Sequence, residues 1–171
     1  ADRPLVLAHN WSFGGFALEF RLDGPAARAG RLELTNAYRG LGFESHDVFM
    51  DRTGVYALDS GQNRLAHADH PSLSLGPLRF PRGLAATPAQ FIIGTGERGV
   101  DHETRQTTRT TLLIVDRAAW QVAAQYDLGA HGNTCDVLLL DRPDLTDAKG
   151  ISFRWRPLRR IAARLKHPLR R

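Results

Sequence analysis

The chain has 171 residues, of which 42% are hydrophobic and 24% charged, as expected for a folded protein and not for a disordered one. Its single cysteine, Cys135, excludes an internal disulfide framework and a cysteine-rich zinc site. No apolar run reaches the roughly 18 residues of a membrane-spanning helix, and residues 1–10 lack the pattern of a secretory signal. We therefore expect a soluble, cytoplasmic protein, with peripheral membrane contact as an option.

The positive charge is concentrated at the C-terminal end. The formal net charge is +5, from 23 basic and 18 acidic residues, yet residues 149–171 hold nine of the basic residues and none of the acidic ones. Residues 1–148 are therefore mildly acidic, whereas a protein that binds nucleic acid through its folded body carries its basic patch there. We predict an all-β body over 1–148 and a basic tail over 149–171, and we expect no nucleic-acid partner for the body.

Short apolar segments bounded by turn residues follow one another along the body. Glycine and proline in the intervening stretches, such as Thr87-Pro88, are typical of tight turns. Closely spaced short strands of this kind predict an all-β fold. The predicted strands are residues 5–7, 16–22, 31–34, 48–50, 55–58, 91–93, 112–115, 121–126 and 137–140.

Part of the body repeats itself. Residues 46–60 align with residues 82–96 without a gap at an offset of 36, and both read as an apolar strand, a tight turn, a second strand and a small polar exit. A third unit starts at Cys135, 89 residues after His46. A period of about 40–50 residues with four short strands per unit is that of a β-propeller blade.

Residues 80–85 with 91–94, and residues 112–122, resemble the inner strands and the outer hairpin of bacterial β-propellers of the broad NHL/gluconolactonase-like kind. The resemblance covers about residues 40–141 and implies blades of four antiparallel strands. The calcium ligands of the gluconolactonases have no matching positions, so their metal chemistry is not carried over.

The length allows fewer than four blades, whereas closed propellers have at least about four. We therefore expect an incomplete or small propeller, or one completed by self-association or by blades missing from the chain. A β-sandwich or barrel is the alternative fold.

The candidate ligand site lies where the first strand of each blade begins. The repeat places His46, Arg82 and Cys135 at equivalent positions, and Asp47 and Asp136 follow two of them. Such a set would bind an anionic or sugar-like ligand, with Arg82 as a bidentate donor and His46 as a proton carrier. The alternative is that the two aspartates accept backbone N–H bonds and fix turns. Cys135 itself is expected in the core.

Two polar stretches hold metal-ligand residue types. The long loop over 97–109 contains His102 between two acidic residues, and such loops often carry function, so His102 is a further candidate for ligand binding. His67 and His70 lie three residues apart in a stretch predicted to be surface loop. Neither set has three well-spaced ligands, so we predict no metal site and no cofactor, with a divalent metal left as an option.

The tail contains one apolar helical stripe, Leu158, Ile161, Ala162 and Leu165, opposite a basic face. It predicts a short amphipathic helix for an anionic membrane surface or an acidic partner, with a helix docked on the body or a disordered end as the alternative. The predicted contact residues are Phe153, Trp155, Arg159, Arg160, Arg164 and Lys166.

The leading hypothesis for function is a ligand- or protein-binding module of propeller type that catalyses no reaction. The first alternative is a propeller-type hydrolase or lactonase using His46, Asp47, Arg82 and Asp136. The second is nucleic-acid binding through the basic tail. A stoichiometric divalent ion in the purified protein would favour the enzyme.

Overall fold

The computed structural model describes residues 5–9, 15–21, 25–77, 79–98, 101 and 103–139. These residues form three antiparallel sheets, with one four-residue helix, α1 (Pro25–Arg28), and one 3₁₀ turn (Thr104–Gln106). The predicted all-β fold is confirmed. Within the described ranges no helix has the length and apolar character needed to cross a membrane. The tail contacts predicted from Phe153 onward, the domain boundary near residue 148 and His102 lie outside the described residues.

Each sheet is a meander in which strands that follow one another in the chain are neighbours in the sheet. The first sheet contains β1 (Leu5–His9), β2 (Phe16–Arg21) and β3 (Glu33–Arg39). The middle sheet contains β4 (Ser45–Asp51), β5 (Gly54–Asp59), β6 (Arg64–His67) and β7 (Leu73–Ser74). The third sheet contains β8 (Phe80–Ala86), β9 (Gln90–Gly96), β10 (Arg109–Asp116) and β11 (Gln121–Ala130).

The middle sheet is covered on both faces, which explains why β5 is an unbroken apolar run without alternation. Val55 and Ala57 pack with Ala17 of the first sheet. Tyr56 and Leu58, which point to the opposite face, belong to the larger core shared with the third sheet. The larger core contains Tyr56, Leu58, Leu65, Leu75, Phe91, Ile93, Leu113 and Val115.

The first strands of the middle and third sheets correspond closely. Val48 of β4 pairs with Ala57, and Leu84 of β8 pairs with Ile93, two pairs related by the same offset of 36. Each strand also contains a register shift near its start, between His46 and Val48 in β4 and between Pro81 and Gly83 in β8. The skipped residues, Asp47 and Arg82, are both candidate ligand-binding residues, and β-bulges often re-aim side chains beside functional sites.

The prediction of a strand over 137–140 is wrong for residues 137–139, because residues 132–139 have no regular secondary structure. The chain there is held by bonds to the loop before β10: Gly132 N–H donates to Thr108 O at 3.0 Å. It also lies directly over the third sheet, where a Cβ on Gly94 would overlap the side chain of Thr134. The backbone bonds of this segment therefore go to a loop and not to a strand ladder.

β6 and β7 were missed, β8 was indicated by the repeat but not by the apolar runs, and β3 was misplaced. β6 and β7 have four and two residues, too few for periodicity to be visible, and the buried Leu65, Ala66 and His67 remove any alternation from β6. β3 begins at Glu33 and ends at Arg39, whereas the apolar pattern placed it at 31–34. Its side chains are mostly exposed, so apolar content is a poor guide to its extent.

Candidate functional site

A cavity of about 410 Å³ opens at the start of β8. We call it the Arg82 pocket, and it is lined by Arg82, Arg105, Gln106, His131, Gly132, Asn133 and Cys135. Its lining includes two arginines and one histidine, and none of these lining residues carries a carboxylate. Basic side chains that line a cavity favour anions, although the charge of Arg105 also interacts with that of Asp101.

Arg82 is positioned by the bulge in β8. Its Cζ atom lies 5.8 Å from the centroid of the Phe80 ring, so the guanidinium packs along an aromatic surface. The Nε atom is buried and has no hydrogen-bond partner within the described part of the chain. A buried donor without an acceptor costs about 1–3 kcal/mol.

The opposite wall of the pocket is fixed by hydrogen bonds. Asn133 N–H donates to Arg105 O at 3.1 Å. Asn133 Oδ1 accepts from Thr108 Oγ1 at 2.7 Å and from Glu97 N–H at 2.9 Å. These bonds join residues that are far apart in the chain, so the wall is held in place before any ligand arrives, which lowers the entropic cost of binding.

His46 does not line the Arg82 pocket. Its Nδ1 atom lies 2.8 Å from Ser60 Oγ and 3.0 Å from Glu44 O. The hydroxyl of Ser60 donates its proton to Pro81 O. Ser60 Oγ must therefore accept from His46, so Nδ1 of His46 carries the proton and donates to Ser60 Oγ and Glu44 O. The ring also packs edge-on against Phe80, with centroids 5.2 Å apart. His46 therefore links β4 to β8, and this geometry gives no support to the predicted proton carrier.

The two predicted aspartates do not line the Arg82 pocket, whereas Cys135 does. Asp47 adopts a left-handed conformation in the bulge of β4, with φ of 45°. Asp136 is exposed and its Oδ1 accepts a hydrogen bond from Val137 N–H at 2.8 Å, as the alternative of a backbone-fixing role predicted. Cys135 was expected in the core and is exposed at the rim of the Arg82 pocket. The neighbouring Leu138 is 77% exposed, so apolar neighbours were misleading here.

Of the four predicted ligand residues that the structure describes, only Arg82 lines the pocket. Arg105, Gln106 and His131 were missed. The sequence predicts a functional loop over 97–109 through His102, which is not among the described residues, whereas Arg105 and Gln106 of that loop line the pocket. Asp101, the neighbour of His102 in the chain, accepts hydrogen bonds from the N–H and the hydroxyl of Thr104, both at 2.8 Å. The backbone bond, followed by the side-chain bond, lowers the pKa of Asp101.

A second cavity, of about 400 Å³, lies between the middle and third sheets. We call it the aromatic pocket, and it is lined by Thr53, Tyr56, His67, His70, Pro71, Arg117 and Trp120. The prediction that His67 lies in a surface loop is wrong: it is on β6 and only 6% exposed, because its ring packs edge-on against Tyr56 at 4.5 Å. Across the described ranges, no three His, Cys, Asp or Glu side chains are grouped as metal ligands.

The chain matches no protein-family model, no curated protein and no solved structure.

We expect His67 to make folding sensitive to mild acid. Burial lowers its pKa below the ordinary value of 6.5, although the bond to the Thr53 backbone acts in the opposite direction. Asp69 N–H donates to Nδ1 at 2.9 Å, so Nδ1 accepts and the proton sits on Nε2, which lies 3.2 Å from Thr53 O. A His with a lowered pKa contributes full stability above its unfolded pKa and loses it as the pH falls below that value.

We therefore expect the melting temperature to drop by a few degrees between about pH 7.5 and pH 5.5, and the His67→Gln variant to lose most of this dependence. Thermal unfolding followed by circular dichroism at both pH values measures it. An equal drop in the variant would show that another group is responsible.

Proposed function

We propose that this protein is a binding module whose Arg82 pocket takes a small anionic ligand. The observation that carries the proposal is the convergence of Arg82, Arg105 and His131 on one cavity, with Arg82 Nε buried and unsatisfied by the described residues. A guanidinium donates two parallel N–H bonds to a carboxylate or a phosphate, which gives directional recognition as well as attraction.

The ligand we propose is a sugar acid or a sugar phosphate. The volume of about 410 Å³ falls within the usual range for small-molecule sites. The amide of Gln106 offers a donor and an acceptor for hydroxyl groups, while the amide of Asn133 is already used by the pocket wall. An anionic group would lie against Arg82 and the hydroxyls against the neutral side of the pocket.

The proposal includes no chemical step. A hydrolase built on His46, Asp47, Arg82 and Asp136 needs these groups around one reacting atom, but Arg82 alone lines the pocket. The imidazole of His46 is held by Ser60 and Glu44. We therefore propose that the pocket binds its ligand without converting it.

We also propose that the sheets are successive propeller blades. Three observations support this proposal. Each sheet is a meander, the middle sheet packs against both the first and the third sheet, and the strand pairs of the middle and third sheets are related by an offset of 36 residues. By that offset, Ile92 and Gly94 of the third sheet correspond to Tyr56 and Leu58, which face the next sheet. The segment around Asn133 and Thr134 covers this face at Gly94 and Gly96, but Ile92 is partly exposed, so we propose that a second copy of the chain or further blades cover the rest of the face.

The basic tail is proposed as an accessory contact with an anionic membrane surface or an acidic partner. Its nine cations and its four-residue apolar stripe support this. A cytoplasmic location, supported by the single cysteine, belongs to the same proposal.

Calorimetric titration with glucose phosphate tests the anion site. We expect saturable binding by the wild type and at least about tenfold weaker binding by Arg82→Gln, because a charge-assisted hydrogen bond contributes about 1.5–3 kcal/mol and 1.4 kcal/mol is tenfold in affinity. The matched control is Arg39→Gln, which removes an exposed arginine of β3 and should leave the affinity unchanged. Equal binding by both variants would overturn the proposal.

A further inference from the structure

The aromatic pocket is a separate cavity at the other end of β8 from the Arg82 pocket. Arg117, which lines it, donates from Nη1 to Thr87 O at 2.9 Å, immediately after β8 ends at Ala86. Arg82 lies near the start of that strand. Among the described residues none lines both cavities, so a ligand in one pocket contacts none of the side chains that line the other.

The walls of the pocket are aromatic rings already fixed in place. Tyr56 and His67 lie with centroids 4.5 Å apart, and His67 and His70 are also 4.5 Å apart. Trp120 packs on the same cluster, and its Nε1–H donates to Pro71 O at 3.0 Å, which fixes the indole. A ligand ring entering here meets preorganised aromatic surfaces and immobilises few side chains.

The charges around the pocket balance. Arg117 Nη2 lies 2.5 Å from Asp51 Oδ2 and donates to Thr53 Oγ1 at 2.6 Å. Burial lowers the pKa of His67 and favours its neutral form near neutral pH. Aromatic rings attract cations, but the guanidinium of Arg117 repels them. The ion pair of Arg117 with Asp51 leaves little net charge to attract an anion.

We propose that the aromatic pocket is a second binding site, for a flat, uncharged aromatic molecule of one or two fused rings. The volume of about 400 Å³ accommodates such a molecule, and the surrounding rings offer offset-stacked and edge-to-face contacts. The polar edge of the pocket, formed by Thr53 and Arg117, would meet a single hydroxyl or ring nitrogen of the ligand. The proposal does not depend on the anion site.

Naphthol and its fully hydrogenated form, decahydronaphthol, are the probes, because both are uncharged near neutral pH and only naphthol is flat. We expect naphthol to bind the wild type saturably, and decahydronaphthol to bind at least about tenfold more weakly. The variant His70→Ala removes an exposed wall of the pocket and should weaken naphthol about fivefold while leaving glucose phosphate binding unchanged. The matched control is His131→Ala, which removes an exposed histidine of the Arg82 pocket. It should weaken glucose phosphate binding and leave naphthol binding unchanged.

A second variant, Trp120→Phe, keeps an aromatic ring but loses the bond to Pro71, and should weaken naphthol without affecting glucose phosphate. The proposal is overturned if naphthol does not bind, if both probes bind equally, or if naphthol binding is unaffected by His70→Ala. If the wild type binds glucose phosphate but not naphthol, the aromatic-site proposal fails and the anion-site proposal does not.

Discussion

Replacing Asp59 with alanine is expected to lower the free energy of unfolding by about 3 kcal/mol or more. The Asp59 side chain is fully buried, and its Oδ2 accepts a hydrogen bond from Arg64 Nε at 2.6 Å. Its Oδ1 accepts from Phe43 N–H at 2.9 Å and from Gln62 N–H at 3.2 Å. Removing the carboxylate leaves two backbone donors and a guanidinium without their acceptor, and such unsatisfied groups are costly.

Urea unfolding followed by circular dichroism measures this loss. The variant Asp59→Asn keeps the shape but cannot accept all three bonds, so we expect it to fall between the alanine variant and the wild type. Asp127→Ala is the matched control, because Asp127 pairs with Arg109 at an exposed site and its removal should leave the unfolding midpoint close to that of the wild type. An Asp59→Ala midpoint equal to that of the control would contradict the structural role.

Replacing Arg117 with alanine is expected to lower the free energy of unfolding by about 2–3 kcal/mol, somewhat less than for a fully buried pair. The Arg117 side chain is only 10% exposed and joins the third sheet to the middle one through Asp51 at 2.5 Å. Its Cζ also lies 4.5 Å from the Phe91 ring centroid and 5.5 Å from that of Tyr56. The variant loses an ion pair, three cation–π contacts (the third with Phe49, at 5.9 Å) and packing against the shared core.

The same unfolding measurement tests this prediction. The control is Arg98→Ala, because Arg98 pairs with Glu44 at 2.8 Å but is 56% exposed, and exposed pairs contribute at most about 1 kcal/mol. Arg117→Lys keeps the charge but not the planar fork, so we expect an intermediate loss. If Arg117→Ala and Arg98→Ala cost the same, Arg117 does not hold the two sheets together.

The fold class could be predicted from the sequence because strands with an apolar pattern and tight turns leave a local signal. β5, β9 and β10 each contain a predicted apolar run and are bounded by turns or loops. β6 left no such signal, since a four-residue strand buried on both faces has no alternation. Leu138 and Leu139 gave a false signal, because apolar residues in an irregular segment look the same as those of a strand.

The candidate site was only partly predictable. Arg82 was found through its position in the repeat, but His131 and Arg105 meet it only because Asn133 bonds to Arg105 across 28 residues of chain. Asp59 resembled an ordinary polar residue after a strand, yet it is the centre of a buried network. Gly42, with φ of 102°, passes so close to Asp59 that a Cβ would overlap it. Such contacts depend on tertiary geometry, which short-range patterns do not record.

Amide chemical-shift mapping during a titration with glucose phosphate tests the proposed anion site most directly. We predict saturable shifts at Arg82, Gly132, Asn133 and Cys135, with the residues of the aromatic pocket and the tail unmoved at moderate salt. Shifts confined to residues 149–171, where nine cations would attract any phosphate, with the Arg82 pocket unmoved, would contradict it.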